Sequence, residues 1–137
     1  MAFTHGKDAA LKVSDSASTL TDVSSYLKST GLPRQADVAE TSTLGSTNKT
    51  YIPGLLDGTI PLEGQWDPTI DGILAGIVGG TAGAFSYYPA GTATGSVIYS
   101  GSAICTSYEI TTGVDDVAQF SAEFQISIAS GVTRGTV

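Results

Sequence analysis

Apolar and polar positions alternate with period two along two long stretches of the chain. From Leu56 to Trp66, Leu56, Gly58, Ile60, Leu62, Gly64 and Trp66 share one face, and Asp57, Thr59, Pro61, Glu63 and Gln65 share the other. From Val117 to Ile128, Ala118, Phe120, Ala122, Phe124, Ile126 and Ile128 stand against Gln119, Ser121, Glu123, Gln125 and Ser127. Each stretch reads as a half-buried strand with one wet face. Pro61 has no N–H to give a ladder, so it belongs at an edge, at a bulge or where an N–H would point outward. Lys7 to Val13 reads as a first strand, and Ser14 to Thr19 as a turn. Leu20 to Leu27 predicts a strand extension with a helical turn over Asp22 to Lys28, capped by Asp22 and closed by Gly31 and Pro33. Ala84 to Tyr88 predicts a short strand that ends in the loop Pro89 to Gly95. Val97 to Thr111 is apolar on both faces, as expected of a central strand or one bulged at Gly101. Gly113 to Asp116 turns the chain.

Only one segment carries a helical period. Asp67 is a good N-cap, Pro68 occupies the favoured first position, and Ile70, Ile73, Leu74 and Ile77 recur at helical spacing before Gly79-Gly80. Asp67 and Asp71 also suit the positive end of the helix dipole. Gly72-x-x-x-Gly76 predicts a close approach of this helix to the sheet.

Between Pro33 and Leu56 the periodicity fades into Thr, Ser, Gly, Asn and charge. Loops longer than about 12–15 residues are uncommon in a compact domain unless they are functional. The arm spans Arg34 to Gly54, with Thr41 to Leu44 pairing with Thr50 to Ile52 around a tip of Gly45, Ser46, Thr47 and Asn48. Its composition predicts that it orders only on assembly, since it buries little apolar surface by itself. The whole pattern predicts one mainly-β domain over residues 1–137. Its architecture is a β-sandwich or partial barrel of two packed sheets, with one flanking helix and a long protruding loop. The closing residues, 129–137, form a polar tail expected to be mobile unless a partner holds it.

Composition supports the β reading and narrows the function. Charged residues are only 14% of the chain and glycines number 17, so Thr and Ser fill surface that Lys and Glu usually occupy. The formal net charge is −7, from 6 basic and 13 acidic side chains, which argues against tight binding to a nucleic-acid backbone. One cysteine, Cys105, excludes an internal disulfide. The opening MAFTHGKDAALKV lacks the apolar run of a signal peptide, and no apolar stretch approaches the ~18 residues of a membrane span. The expectation is a soluble chain made in the cytoplasm, without a membrane partner.

Convergent chemistry is scarce. His5 is the only histidine, and Cys105 sits in an apolar strand where a free thiol packs as a small hydrophobe. Zinc patterns need further His or Cys. Asp115-Asp116 reads as a solvated turn. Asn48-Lys49-Thr50 matches a glycosylation acceptor without a secretion signal beside it. No phosphate-loop or dinucleotide glycine pattern occurs. The reading is a non-enzyme with no catalytic residues, no cofactor and no metal.

In order along the chain, AFTHGKDAALKV with TDVSSYLKSTGLPRQAD, then TSTLGSTNKTYIPGLLDGTIPLEGQWDPT, then Tyr88-Pro89-x-Gly91 with Gly95, and finally DDVAQFSAEFQISIASGVTRGT resemble the major tail tube proteins of long-tailed bacteriophages. The resemblance covers nearly the whole chain and departs at Ser127-Ile128-Ala129, where a glycine is expected. It implies a structural virion protein that polymerises as stacked hexameric rings into the tail tube, whose lumen conducts genomic DNA during ejection without specific binding. The partners implied are further copies of the chain and other tail proteins such as tape measure, tail tip and terminator. On this reading Asp57, Glu63, Gln119, Glu123 and Gln125 face an acidic lumen that repels phosphate. Arg34, Glu40, Leu44, Lys49, Tyr51 and Ile52 belong to the inter-subunit loop. The alternative is a virion decoration or adhesion β-sandwich whose arm binds a ligand. A small hydrolase using Cys105 is the remaining reading, and it requires a reactive thiol.

Overall fold

The computed structural model describes residues 5–15, 17, 19–45, 47–127 and 132–137. Among the described residues, nine strands and one α-helix follow in order: β1 (Ala10–Ser14), β2 (Leu20–Asp22), β3 (Leu27–Thr30), β4 (Arg34–Glu40), β5 (Tyr51–Gln65), α1 (Pro68–Leu74), β6 (Gly83–Tyr88), β7 (Val97–Thr111), β8 (Gln119–Ile126) and β9 (Thr133–Thr136). Every strand pairing is antiparallel, in the order β2-β1-β6-β7-β8-β5-β3, with β4 also on β5 and β9 also on β7.

The two packed layers are two halves of this single curled sheet. The segment that links its two ends is fixed to β1: Val23 N–H donates to the Leu11 carbonyl at 3.0 Å, and Leu11 N–H donates to Ser24 Oγ at 2.9 Å. The 3₁₀ turn Ser24–Tyr26 then leads directly into β3 against β5. The capping expectation for Asp22 is corrected: the N-cap is Val23, which makes no side-chain cap bond, and Asp22, one residue earlier, accepts from the Ser24 backbone at 2.8 Å and from its hydroxyl. The turn is also shorter than predicted, and strands flank it. Leu11 and Val13 of β1, Ile60 and Leu62 of β5, Phe85 of β6, and Phe120 and Phe124 of β8 meet in one core. Each such side chain contributes about 1.5–3 kcal/mol by leaving water.

The helix forms where its local signals stand. The Asp67 carboxylate accepts from Thr69 N–H at 2.8 Å, and Pro68 opens the helix. Ile70, Ile73 and Leu74 enter the core. Gly79 takes a positive φ of 75° and donates its N–H to the Cys105 carbonyl at 3.0 Å, binding the helix exit to β7. The close-approach reading of Gly72 is corrected: it is exposed, and a Cβ there would meet nothing within 4 Å.

Three further expectations change. β5 starts at Tyr51 and Leu56 is 77% exposed, because β8 covers the strand only from Thr59 onward. The irregularity in β7 lies between Cys105 and Ser107, not at Gly101, which pairs normally with Phe85. The extra residue, Thr106, uses its hydroxyl to hold the Glu123 carbonyl at 3.1 Å. Within the expected polar tail, Thr133–Thr136 form a strand, β9, that pairs with Val97–Ser100 of β7. Ile128, Ala129 and Ser46 lie outside the described residues.

Candidate functional site: a polar sheet face and a projecting arm

Directly opposed residues of paired strands point to the same face, so the registers assemble the outer surface. Glu63 opposes Ser29 on one side and Ser121 on the other, and Ser121 opposes Glu109. The next row holds Pro61, Glu123 and Ser107, and the outermost row holds Gln65, Gln119 and Thr111. Thr59, Gln125 and Ile104 close the surface at the other end. Gln125 Nε2 donates to Asp57 Oδ1 and, at 3.0 Å, to the Gly58 carbonyl. The five residues expected on one wet face therefore do share it. Asp57, Glu63 and Glu123 are exposed.

Glu109 joins this face and was missed. Sequence reading took Val97 to Thr111 as apolar on both faces, yet Ser107, Glu109 and Thr111 alternate with Tyr108 and Ile110. That short alternation was the available signal. The bulge at Thr106 is what switches the face. Along β3, residues 59–65 of β5, residues 104–111 of β7 and β8, the only basic residue is Lys28. In these strands the three carboxylates of Glu63, Glu109 and Glu123 outnumber that one cation, so the surface is acidic.

The helix and the sheet meet beside this face through a small polar network. Tyr108 Oη donates to Asp71 Oδ1 at 2.8 Å, and Trp66 Nε1 donates to Tyr108 Oη at 3.1 Å. Desolvation, reinforced by the Asp71 carboxylate, pushes the Tyr108 phenol up to about 12. The network clamps the first turn of α1 onto β7 and the end of β5.

The arm is a hairpin. Arg34 opposes Gly58 at its base and Glu40 opposes Tyr51 near its tip, with a register shift between Ala36 and Val38. Thr41 N–H continues the ladder to the Thr50 carbonyl at 2.7 Å, and Thr50 N–H meets Ser42 Oγ at 2.8 Å. The expected pairing of Thr41–Leu44 with Thr50–Ile52 is corrected: Tyr51 and Ile52 lie opposite Glu40 and Ala39 of β4, because the ladder starts at Arg34 and reaches the tip at the Thr41–Thr50 bond. It is formed in the single chain, because antiparallel pairing satisfies the backbone without burying side chains. Every residue of β4 and of 51–57 is exposed. Leu44 at the tip and Lys49 beside it are exposed too, and Tyr51 and Ile52 remain about half in water.

A clasp fixes the direction of the arm. Thr59 N–H donates to the Pro33 carbonyl at 3.1 Å, Arg34 stacks over the Tyr99 ring at 5.2 Å, and Asp57 is held by Gln125. A Cβ on Gly58 would stand 2.9 Å from Ile126 Cδ1 and 3.2 Å from Arg34 Cγ. The hairpin therefore leaves the body at a packed joint.

The two candidate catalytic residues do not come together. Cys105 is 2% exposed, burial pushes its thiol up, and it lines a hollow with Asp15, Ile77 and Phe85. His5 lines a different hollow beside Ala10 and Lys28, and its Nδ1 accepts from Lys7 N–H at 3.1 Å, capping the 3₁₀ turn Gly6–Asp8. Among the described residues no group of three or more His, Cys, Asp or Glu is placed to hold a metal ion. No described helix is long and apolar enough to cross a membrane.

No family model and no curated protein matches the chain. Solved structures do match it. A chain of the virion of a native gene transfer agent particle superimposes with a TM-score of 0.79 at 17% identity, over 97% of this chain and 99% of that one. A chain of the SPP1 tail tube, solved by solid-state NMR and cryo-EM, gives 0.73 at 14% identity, over 98% and 80%. A chain of the sheath–tube complex of an extracellular contractile injection system, PVC, gives 0.68 at 17% identity, over 98% and 93%. The chain has the fold of the tail-tube proteins that its residue patterns resemble.

Proposed function

We propose that this protein is the structural subunit of a phage-type tail tube, assembled as stacked hexameric rings. The observation that carries the reading is the sheet itself, with one face packed on the core and the other polar and acidic, in a fold shared over 98% of this chain with a chain of the SPP1 tail tube. β6 pairs with β7 no further than Ala103, and β3 ends the sheet on the far side. Residues beyond Cys105 on β7 and the outer side of β3 thus offer strand edges that a neighbouring copy would close. Six copies per ring accords with the tail of an empty gene transfer agent particle, which was refined with C6 symmetry. Matches to a PVC sheath/tube terminator and an AFP baseplate structure support partners at the ends of the tube.

In such a ring the polar face lines the lumen, with Asp57, Glu63, Glu109, Glu123, Gln119 and Gln125 toward the channel. A negative wall repels phosphate, so DNA slides through without adhering, and the amides solvate the passage. The arm, with Arg34, Glu40, Leu44, Lys49, Tyr51 and Ile52, reaches a neighbouring subunit. The protein acts in the virion tail after synthesis in the host cytoplasm, and its work is mechanical.

Negative-stain microscopy of the purified protein at high concentration tests this. Hollow tubes are expected, whereas monomers or small closed oligomers would favour the decoration or adhesion module. A reconstruction of the tube with Glu63, Glu109 and Glu123 packed between subunits would overturn the lumen assignment alone.

A further inference from the structure

The arm tip and the β7–β8 turn stand at opposite ends of the sheet. Register establishes the two poles: Thr59 opposes Gln125 at the end from which the arm leaves, and Gln65 opposes Gln119 at the end where the turn lies. At about 3.3 Å per residue, the seven paired residues from 59 to 65 separate the poles by about 23 Å, and the arm strands add about as much again. A tip and a turn on one chain therefore cannot touch.

Their chemistry is complementary. Between residues 41 and 50 the only charge is Lys49 and the only large apolar side chain is Leu44, which is fully exposed. Between residues 110 and 118 the only charges are Asp115 and Asp116, flanked by Val114 and Val117, both exposed. One pole thus presents a cation beside an apolar knob. The other presents two anions between apolar residues.

We infer that the β7–β8 turn is the seat for the arm tip of a second copy, with Lys49 against Asp115 and Asp116 and Leu44 against Val114 and Val117. The inference rests on the proposed self-assembly and names the surface that receives the arm. A contact between unlike poles is heterologous, so it propagates into a stack and does not close into a dimer. Charge also sets the polarity: turn against turn would juxtapose two carboxylates from each copy, and tip against tip would bring two lysines together.

Charge exchange between full-length variants tests the contact, read as the concentration needed to pellet tubes and checked by negative stain. Lys49→Glu is expected to raise that concentration about tenfold, and Asp115→Lys with Asp116→Lys to do the same. An equimolar mixture of the two variants should recover assembly to within about threefold of wild type, because alternating copies restore every tip-to-turn attraction. Thermal melts unchanged from wild type show that the separate chains still fold. Variants that assemble like wild type, or a mixture no better than its components, overturn the contact while leaving the tube reading intact. A wild-type chain that forms no tubes overturns both.

Discussion

β5 is one continuous strand in two environments. Residues 51–57 pair with β4 on one edge and expose every side chain, including Leu55 at 81% and Leu56 at 77%. Residues 59–65 gain β8 on the other edge, and there Ile60 is 0% and Leu62 3% exposed. Residue type does not separate the halves, since both carry Leu and Ile in an antiparallel ladder. What separates them is a second neighbour and the curl of the sheet, which bring β1, β6 and α1 over the inner face. A side chain such as Leu56 leaves about 1.5–3 kcal/mol of burial unused in the single chain. The body spends its apolar residues on folding, while those of the arm stay in water in the single chain.

The sharpest way to break this contrast is to cut into the body. Phe120→Ala removes a core ring that is 1% exposed and should cost about 3–5 kcal/mol in urea unfolding; a loss below about 1 kcal/mol would deny β8 its place over the core. Gly64→Ala comes next. A Cβ there overlaps the Tyr26 carbonyl oxygen and stands 2.9 Å from Leu27 Cα, so β3 must separate from β5 at about 3 kcal/mol. Hydrogen exchange should then quicken at the β3 amides, and unchanged protection would show that the close approach is not made.

Smaller effects are expected at the helix joint. Tyr108→Phe deletes the hydroxyl that bridges Asp71 and Trp66 and should lower stability by about 1–2 kcal/mol. The Tyr108 phenol is raised from an ordinary value near 10 to about 12, so the folded state holds that proton more tightly than the unfolded one. Its stabilising contribution is complete below pH 10 and is lost as pH rises toward 12. NMR of the Tyr108 ring should show no phenolate near pH 10, and ionisation there would mean the clamp is open. The smallest change belongs to the arm. Leu55→Ser with Leu56→Ser should move the stability of the single chain by less than about 0.5 kcal/mol, while suppressing tube formation. A substantial loss in the single chain would mean that the arm folds against its own body.

Much of the fold was readable because its signals are local. Asp67, Pro68 and the Ile70-Ile73-Leu74 spacing act within two turns of backbone, and they placed the start of α1 correctly, although the helix ends at Leu74 and not at the Gly79-Gly80 signal. Strict alternation located β8 and the inner half of β5, and with them the face shared by Asp57, Glu63, Gln119, Glu123 and Gln125. Glu109 escaped because a bulge at Thr106 changes which side of β7 faces out, and a bulge is defined by the partner strand's register. Gly72 misled because a small-residue spacing does not say which side of a helix meets the sheet.

Sequence alone determined the element types, the helix cap, the two-faced strands, the excess of acid and the presence of an arm. Each depends on backbone periodicity or on side-chain chemistry within a few residues. Tertiary structure decided that Leu56 is exposed while Ile60 is buried, that β9 joins β7, and that the arm and the β7–β8 turn lie at opposite poles. Those facts turn on which distant strand lies alongside. Pairing between strands far apart in the chain is a choice among registers, and local pattern restricts that choice without making it.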